Sequence, residues 1–334
     1  MSYQKVIYGF TYKKKKPYRE SEIIMENSAA RIKRPSIKRS TGDKIFSWTL
    51  ALPALIMTVI FIIVPIIDSV IKSFQDFKVR NIISNKPGTW NDFDNYIKLF
   101  QNEKLTGAII NTFTFVLFVV ILQFIFGMLL ALILNSNIKG ARFLRSIMMT
   151  PWVVPTIISA LVWMWMFQPQ YGLIKYIAEF LTGGNVANLA ILNNPKTALT
   201  GIGIAALWKQ VPLITLLFLA GLQNVPDDML EAATIDGAGK VRKFFSIILP
   251  YLKSVIKVAV SIAIISNFKQ FPLIWTMTGG GPDNSTTTLA ILSYREAFVS
   301  NNLGSGAAVT TIWMLLMVIV IVVYNKLLGS TDME

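Results

Sequence analysis

The chain has 334 residues, 53% of them hydrophobic and only 15% charged, with a mean hydropathy of +0.54 and a formal net charge of +14. So apolar a composition excludes an ordinary soluble domain of this length and reads as an integral membrane protein. Cysteine and histidine are absent, which removes disulfides, thiolate and imidazole metal sites, histidine proton relays, and cysteine- or serine-histidine nucleophile pairs.

The first segment, residues 1–47, is a basic tail carrying Lys13, Lys14, Lys15, Lys16, Arg19, Arg31, Lys33, Arg34, Lys38, Arg39 and Lys44. Much of the net charge lies there. Attraction to anionic lipid of the inner leaflet accounts for it more simply than nucleic-acid binding, and no nucleic-acid partner is expected. Its weak hydrophobic periodicity reads as mobile or only partly helical. The apolar run after it is too long for a signal-peptide core and no A-x-A site follows, so it reads as an uncleaved membrane helix.

A helix needs roughly 20 apolar residues to cross the hydrocarbon core. Six segments meet that standard: 48–71, 109–134, 143–167, 201–222, 252–277 and 307–328. Backbone groups in lipid must be satisfied within the segment, so the predicted fold class is an all-α integral membrane bundle. The membrane domain spans 48–328, leaving a short tail at 329–334. Pro53, Pro65, Pro151, Pro155, Pro212 and Pro272 lie within or at the ends of these spans, where proline kinks or opens a helix. Lysine and arginine in short loops favour the cytoplasm. Lys139, Arg142 and Arg145, then Lys240, Arg242, Lys243 and Lys253, agree with the basic tail and place both termini inside. The connections around 74–106, 172–195 and 279–306 are placed outside.

Polar residues at membrane depth are costly unless they find partners or line a wet cavity. Trp152 and Thr156 are one helical turn apart at the start of the third span and can face one cavity. Trp208-Lys209-Gln210 interrupts the fourth span before Pro212. Asn267, Lys269 and Gln270 interrupt the fifth before Pro272.

Between the fourth and fifth spans lies a polar loop, 227–250, with the stretch EAATIDGAGKVRKFFSIILP. Pro226, Asp227 and Asp228 start a helix with acids where they complement its dipole. Leu230, Ala233 and Thr234 fall on one face, Gly237 and Gly239 permit a sharp turn, and Phe244, Phe245, Ile247 and Ile248 restart a helical pattern. The spacing of Glu231-Ala232-Ala233, Asp236-Gly237-Ala238 and Ile247 before Leu249-Pro250 resembles the EAA signature of ABC importer permeases. In that family the loop is the coupling helix seated on a separate ATP-hydrolysing subunit. Thr278-Gly279-Gly280-Gly281-Pro282, Thr286 to Leu289, Tyr294, Ala297 and Phe298, with Met149-Thr150-Pro151-Trp152-Val153-Val154-Pro155, resemble the maltose and glycerol-3-phosphate importer class and its larger, F-type partner.

That resemblance implies a six-helix type I ABC importer transmembrane domain in the bacterial cytoplasmic membrane. It implies a second homologous permease, two ABC ATPase subunits, an extracytoplasmic solute-binding protein and a sugar or oligosaccharide cargo moved by ATP-driven alternating access. Residues 231–233 and 236–238 would couple to the ATPase. The positions that bind sugar in the maltose permease match Trp152, Thr156, Lys209, Gln210, Asn267 and Gln270. Amides suit hydroxyls and an indole face suits a pyranose. Trp152 also reads as an interfacial anchor, and Asn267 and Gln270 as interhelical partners. Lys209 departs from the family, which has an uncharged residue there. Lysine at the midplane costs about 2.5–3.5 kcal/mol. With Lys269 in the same cavity, it points to an acidic cargo such as a uronate oligosaccharide or sugar phosphate. The opposing reading has Lys209 snorkel or pair with an acid of the partner permease.

No catalytic residue, metal site or cofactor is expected in this chain. Gly239-Lys240 is followed by Val241, so the phosphate loop is missing, and ATP and magnesium belong to partner subunits. The alternative is an ion-coupled secondary sugar carrier, for which Asp68 is a weak candidate carboxylate. An intramembrane enzyme lacks a catalytic cluster.

Overall fold

The computed structural model describes residues 41–136, 139–184 and 189–327. The readings of the tail over 1–40 and of 328–334 lie outside the described residues. The chain divides into two compact units, residues 1–62 and 63–334. In the first, helix α1 (Thr41–Thr58) is already formed ahead of the predicted start at 48. Its side chains from Trp48 onward are exposed. An apolar helix with no buried face is built for a lipid or protein surround.

The second unit opens with α2 (Val64–Lys72), which completes the first candidate span, Trp48–Lys72. A short ribbon follows, β1 (Gln75–Asp76) antiparallel to β2 (Thr89–Trp90), with Gln75 opposite Trp90 and α3 (Val79–Ile83) between the strands. Helix α4 (Asp94–Phe100) locks it: buried Asn95 donates through Nδ2 to the carbonyls of Ser73 and Gln75, both at 2.9 Å. Helix α5 (Glu103–Asn135) is the second span, started by Asn102, whose side chain accepts from the Lys104 amide at 3.0 Å.

The third span is broken. Instead of one helix over 143–167, the chain forms α6 (Ala141–Met148), α7 (Thr150–Val153) and α8 (Thr156–Met166), with a 93° bend at Val154-Pro155. Proline pushes the residue before it out of the helical region, and Val154 sits at φ −60°, ψ 132°. Helix α9 (Leu173–Thr182) lies in the connection that follows.

Helix α10 (Ala198–Leu222) is the fourth span and carries the core, with Ile202, Ala205, Ala206 and Phe218 fully buried. It packs along α5, where Phe124 meets Phe218 edge-on at 5.5 Å. Small residues on α10 permit close approach: a Cβ added at Gly203 would lie 2.6 Å from the Phe118 ring.

The loop folds as α11 (Asp227–Ile235), a turn, and α12 (Lys240–Lys243). A π-helical turn (Phe244–Ile248) and α13 (Leu249–Tyr251) lead through a 73° bend into α14 (Lys253–Phe268). The fifth span, predicted over 252–277, therefore ends at Phe268, and α15 (Pro272–Thr278) is a separate helix begun by its proline. Helix α16 (Leu289–Tyr294), a second π-helical turn (Arg295–Val299) and α17 (Leu303–Leu327) complete the unit. Among the described residues four helices are long and apolar enough to cross a membrane. Counting each bent pair as one span gives six.

Candidate functional site

The break in the third span creates the site. Trp152 on α7, Thr156 opening α8, Lys209 and Gln210 on α10, Ser266 on α14 and Gln270 beyond it line one cavity of about 350 Å³. Leu213, Ile214, Ile262 and Ala263 form its apolar wall. This volume lies within the roughly 300–1,000 Å³ of small-ligand pockets. Trp152 and Thr156 share the cavity because the chain turns between them; they are not neighbours on one continuous helix.

Lys209 exploits the same break. In an unbroken helix the carbonyls of Trp152 and Val154 would face the amides of Thr156 and Ile158. Here the Lys209 ammonium donates to both, to Trp152 at 3.3 Å and to Val154 in a still shorter bond. Backbone carbonyls orient the ammonium without cancelling its charge. Among the described residues no carboxylate forms a salt bridge with it.

Asn267 is 2% exposed and lies behind the cavity wall. Its Oδ1 accepts from Gln210 Nε2 at 3.2 Å, and its Nδ2 donates to the carbonyl of Ala263 at 2.8 Å and to Gln123 Oε1 at 3.2 Å. Gln123 Nε2 in turn donates to Gln210 Oε1 at 3.1 Å. Three amides from α5, α10 and α14 close a ring. Gln123 was not among the residues singled out from the sequence, although a lone glutamine within an apolar helix satisfies the same rule that found the others. Lys269, expected beside Lys209, caps α14 and is exposed outside the cavity lining. Trp208 turns away and packs edge-on against Trp163, with ring centroids 6.0 Å apart.

The second candidate surface is α11 with its turn. Leu230 and Ala233 are half-buried, as their shared face predicts, whereas Thr234 is exposed and accepts from Lys243 Nζ at 2.9 Å. Glu231, Ala232, Asp236 and Gly237 face outward, Ala238 is half-buried, and Ile235 is 87% exposed. The helix ends in two bonds, the amide of Ala238 to the carbonyl of Ala233 at 2.8 Å and that of Gly237 to Thr234 at 3.0 Å. Gly237, at φ +78°, occupies the left-handed position this ending requires.

For the alternative candidate, Asp68, the structure gives an exposed carboxylate accepting from Lys72 Nζ at 2.6 Å on the same helix. It lies outside the cavity lining.

Residues 123–330 match the family described as binding-protein-dependent transport system inner membrane component. The chain is 36% identical over 280 residues to the trehalose/maltose transport system permease of Thermococcus litoralis, covering 84% of this chain and 92% of that one. It is 34% identical over 278 residues to the sn-glycerol-3-phosphate transport system permease of Yersinia pestis, covering 83% and 91%. Among solved structures, it superimposes on a bacterial alginate ABC transporter in complex with an alginate pentasaccharide-bound periplasmic protein. The TM-score is 0.73 at 20% identity, covering 86–87% of this chain's length in this and a second such structure and up to 97% of the other chain.

Proposed function

The chain belongs to the family of binding-protein-dependent transport system inner membrane components, and we propose that, as a permease subunit of a carbohydrate ABC importer, it admits an anionic saccharide through the cavity around Lys209. Such permeases work with an ATPase and a solute-binding protein and are transport subunits of the inner membrane. The proposal adds the cargo's charge, the residues that meet it and the assembly around this chain.

The observation that carries the reading is the Lys209 ammonium, fixed at the cavity by two carbonyls and without a carboxylate partner among the described residues. The relatives leave cargo charge open, since one is named for neutral trehalose and maltose and another for a phosphate ester. A uronate or phosphate would meet the remaining Nζ proton. Gln210, Gln270, Ser266 and Thr156 offer donors and acceptors to hydroxyls, and the Trp152 indole offers an apolar face.

In the proposed assembly a second homologous permease completes the pathway and two ATPase subunits dock on the signature loops. The solute-binding protein delivers cargo to the outer face, and both termini face the cytoplasm. Closure of the ATPase pair, which holds the ATP and magnesium, is transmitted through α11 and rocks the spans. Exposed Ile235 and the outward row of Glu231, Ala232 and Asp236 support docking there. Lipid surrounds the outer helices.

The test is uptake into proteoliposomes by the complete importer with the Lys209→Met chain. Uptake of a uronate oligosaccharide or sugar phosphate should fall at least tenfold. Unchanged uptake would return Lys209 to bracing the helix break.

A further inference from the structure

Gln123 lines no part of the cavity, yet it makes one of the two bonds that hold the amide of Gln210, which does. The chain of reasoning starts at a backbone carbonyl. Ala263 O can only accept, so the end of the Asn267 amide beside it, at 2.8 Å, is the nitrogen. The other end, Oδ1, must then take a proton from Gln210 Nε2. That assignment turns Gln210 Oε1 towards Gln123, which has to donate to it, and leaves Gln123 Oε1 to accept the second proton of Asn267 Nδ2. One acceptor buried in α14 thereby sets the direction of all three amides. Gln210 and Gln123 each keep one N–H outside the ring, and of the two it is Gln210 that lines the cavity.

Gln123 and Asn267 are 1% and 2% exposed, so neither can substitute water for a lost partner. Lys209 and Lys269 are the charged side chains that flank the ring in sequence. The first is held by the carbonyls of Trp152 and Val154 and the second is exposed, so neither joins it.

We propose that Gln123 is a positioning residue for cargo recognition: by donating to Gln210 Oε1 and accepting from Asn267, it supplies the second of the two bonds that hold the Gln210 amide and so keeps in place the donor and acceptor that the cavity presents. This inference rests on the cavity being the cargo site. A Gln123→Met side chain fills similar space without hydrogen bonds, which leaves Gln210 Oε1 without its donor and the Gln210 amide held by Asn267 alone. Gln123→Glu is the second probe. Protonated, its carboxyl can both donate to Gln210 and accept from Asn267; ionised, it can only accept.

The experiment measures uptake by the complete importer in proteoliposomes, with glycerol 3-phosphate, a diuronate and maltose as probes. The kinetics are taken on whichever wild type transports. Gln123→Met should raise the half-saturating concentration about fivefold to tenfold, the size of one mispaired hydrogen bond, with the maximal rate nearly unchanged. Gln210→Met should raise it as much, and the double variant no further, because one residue acts through the other. Gln123→Glu should match wild type near pH ~6 and weaken towards pH ~9, as a buried carboxyl ionises, while wild type shows no such loss. An unchanged half-saturation in Gln123→Met, additive effects in the double variant, or a flat pH profile for Gln123→Glu overturns the positioning role while Gln210→Met still registers. An unchanged Gln210→Met, or wild type taking up none of the three probes, overturns the cavity reading and the inference with it.

Discussion

Gly237 allows backbone strain and surface docking to be separated at one position. Its φ of +78° closes α11, and a Cβ added there would meet no atom of the described residues within 4 Å beyond its own chain neighbours. Gly237→Ala therefore adds strain alone. The left-handed conformation costs an L-residue about 1–2 kcal/mol, which lowers the population of the turn by a factor of roughly 5–30. Gly237→Asn should cost less, because asparagine tolerates that region. Gly237→Trp carries the same strain as alanine, but its indole also projects into space that the described residues leave open. If α11 and its turn seat on an ATPase, tryptophan should abolish uptake and cargo-stimulated ATP hydrolysis in proteoliposomes, while alanine gives a partial loss and asparagine a smaller one. All three chains should insert in the membrane. Tryptophan behaving like alanine would refute the reasoning, since it would mean that nothing approaches this face.

Two further perturbations test the segment between α15 and α17. The Arg295 guanidinium holds the glycine loop through Gly279 O at 2.7 Å, Asn284 Oδ1 at 2.6 Å and Thr287 Oγ1 at 3.2 Å. Bonds from a charged donor are worth about 1.5–3 kcal/mol each, so Arg295→Met should speed amide hydrogen exchange over 279–287 at least tenfold; unchanged exchange would show that the loop stands by itself. At the start of α17, a Cβ on Gly304 would overlap the carbonyl oxygen of Gln75. The obstacle is backbone, so Gly304→Ala should destabilise the ribbon and its junction by about 1–3 kcal/mol. Thermal unfolding of the purified chain checks this, and an unshifted midpoint would contradict it.

Four of the six spans and the helix and turn within 227–250 were legible because run length and glycine spacing are local properties of a sequence. The cavity was legible in part. Trp152, Thr156, Lys209, Gln210 and Gln270 line it, but the route by which they do so was not. Whether a proline in a membrane helix kinks it or breaks it depends on who satisfies the freed carbonyls, and here the answer, Lys209, comes from another helix. Lys269 and Gln270 are neighbours in sequence, and only the end of α14 at Phe268 turns the first outward and the second towards the cavity. Asn267 and Gln123 are 144 positions apart, so their pairing belongs to the packing of α5 against α14 and leaves no local trace.

The most direct test of the central claim is ATP hydrolysis by the complete importer in proteoliposomes, with the binding protein loaded in turn with a neutral and with a uronate-containing oligosaccharide. Stimulation by the acidic ligand alone, lost in Lys209→Met, is the predicted result. Equal stimulation by the neutral ligand, or acidic stimulation that survives Lys209→Met, would contradict a cavity that selects for negative charge.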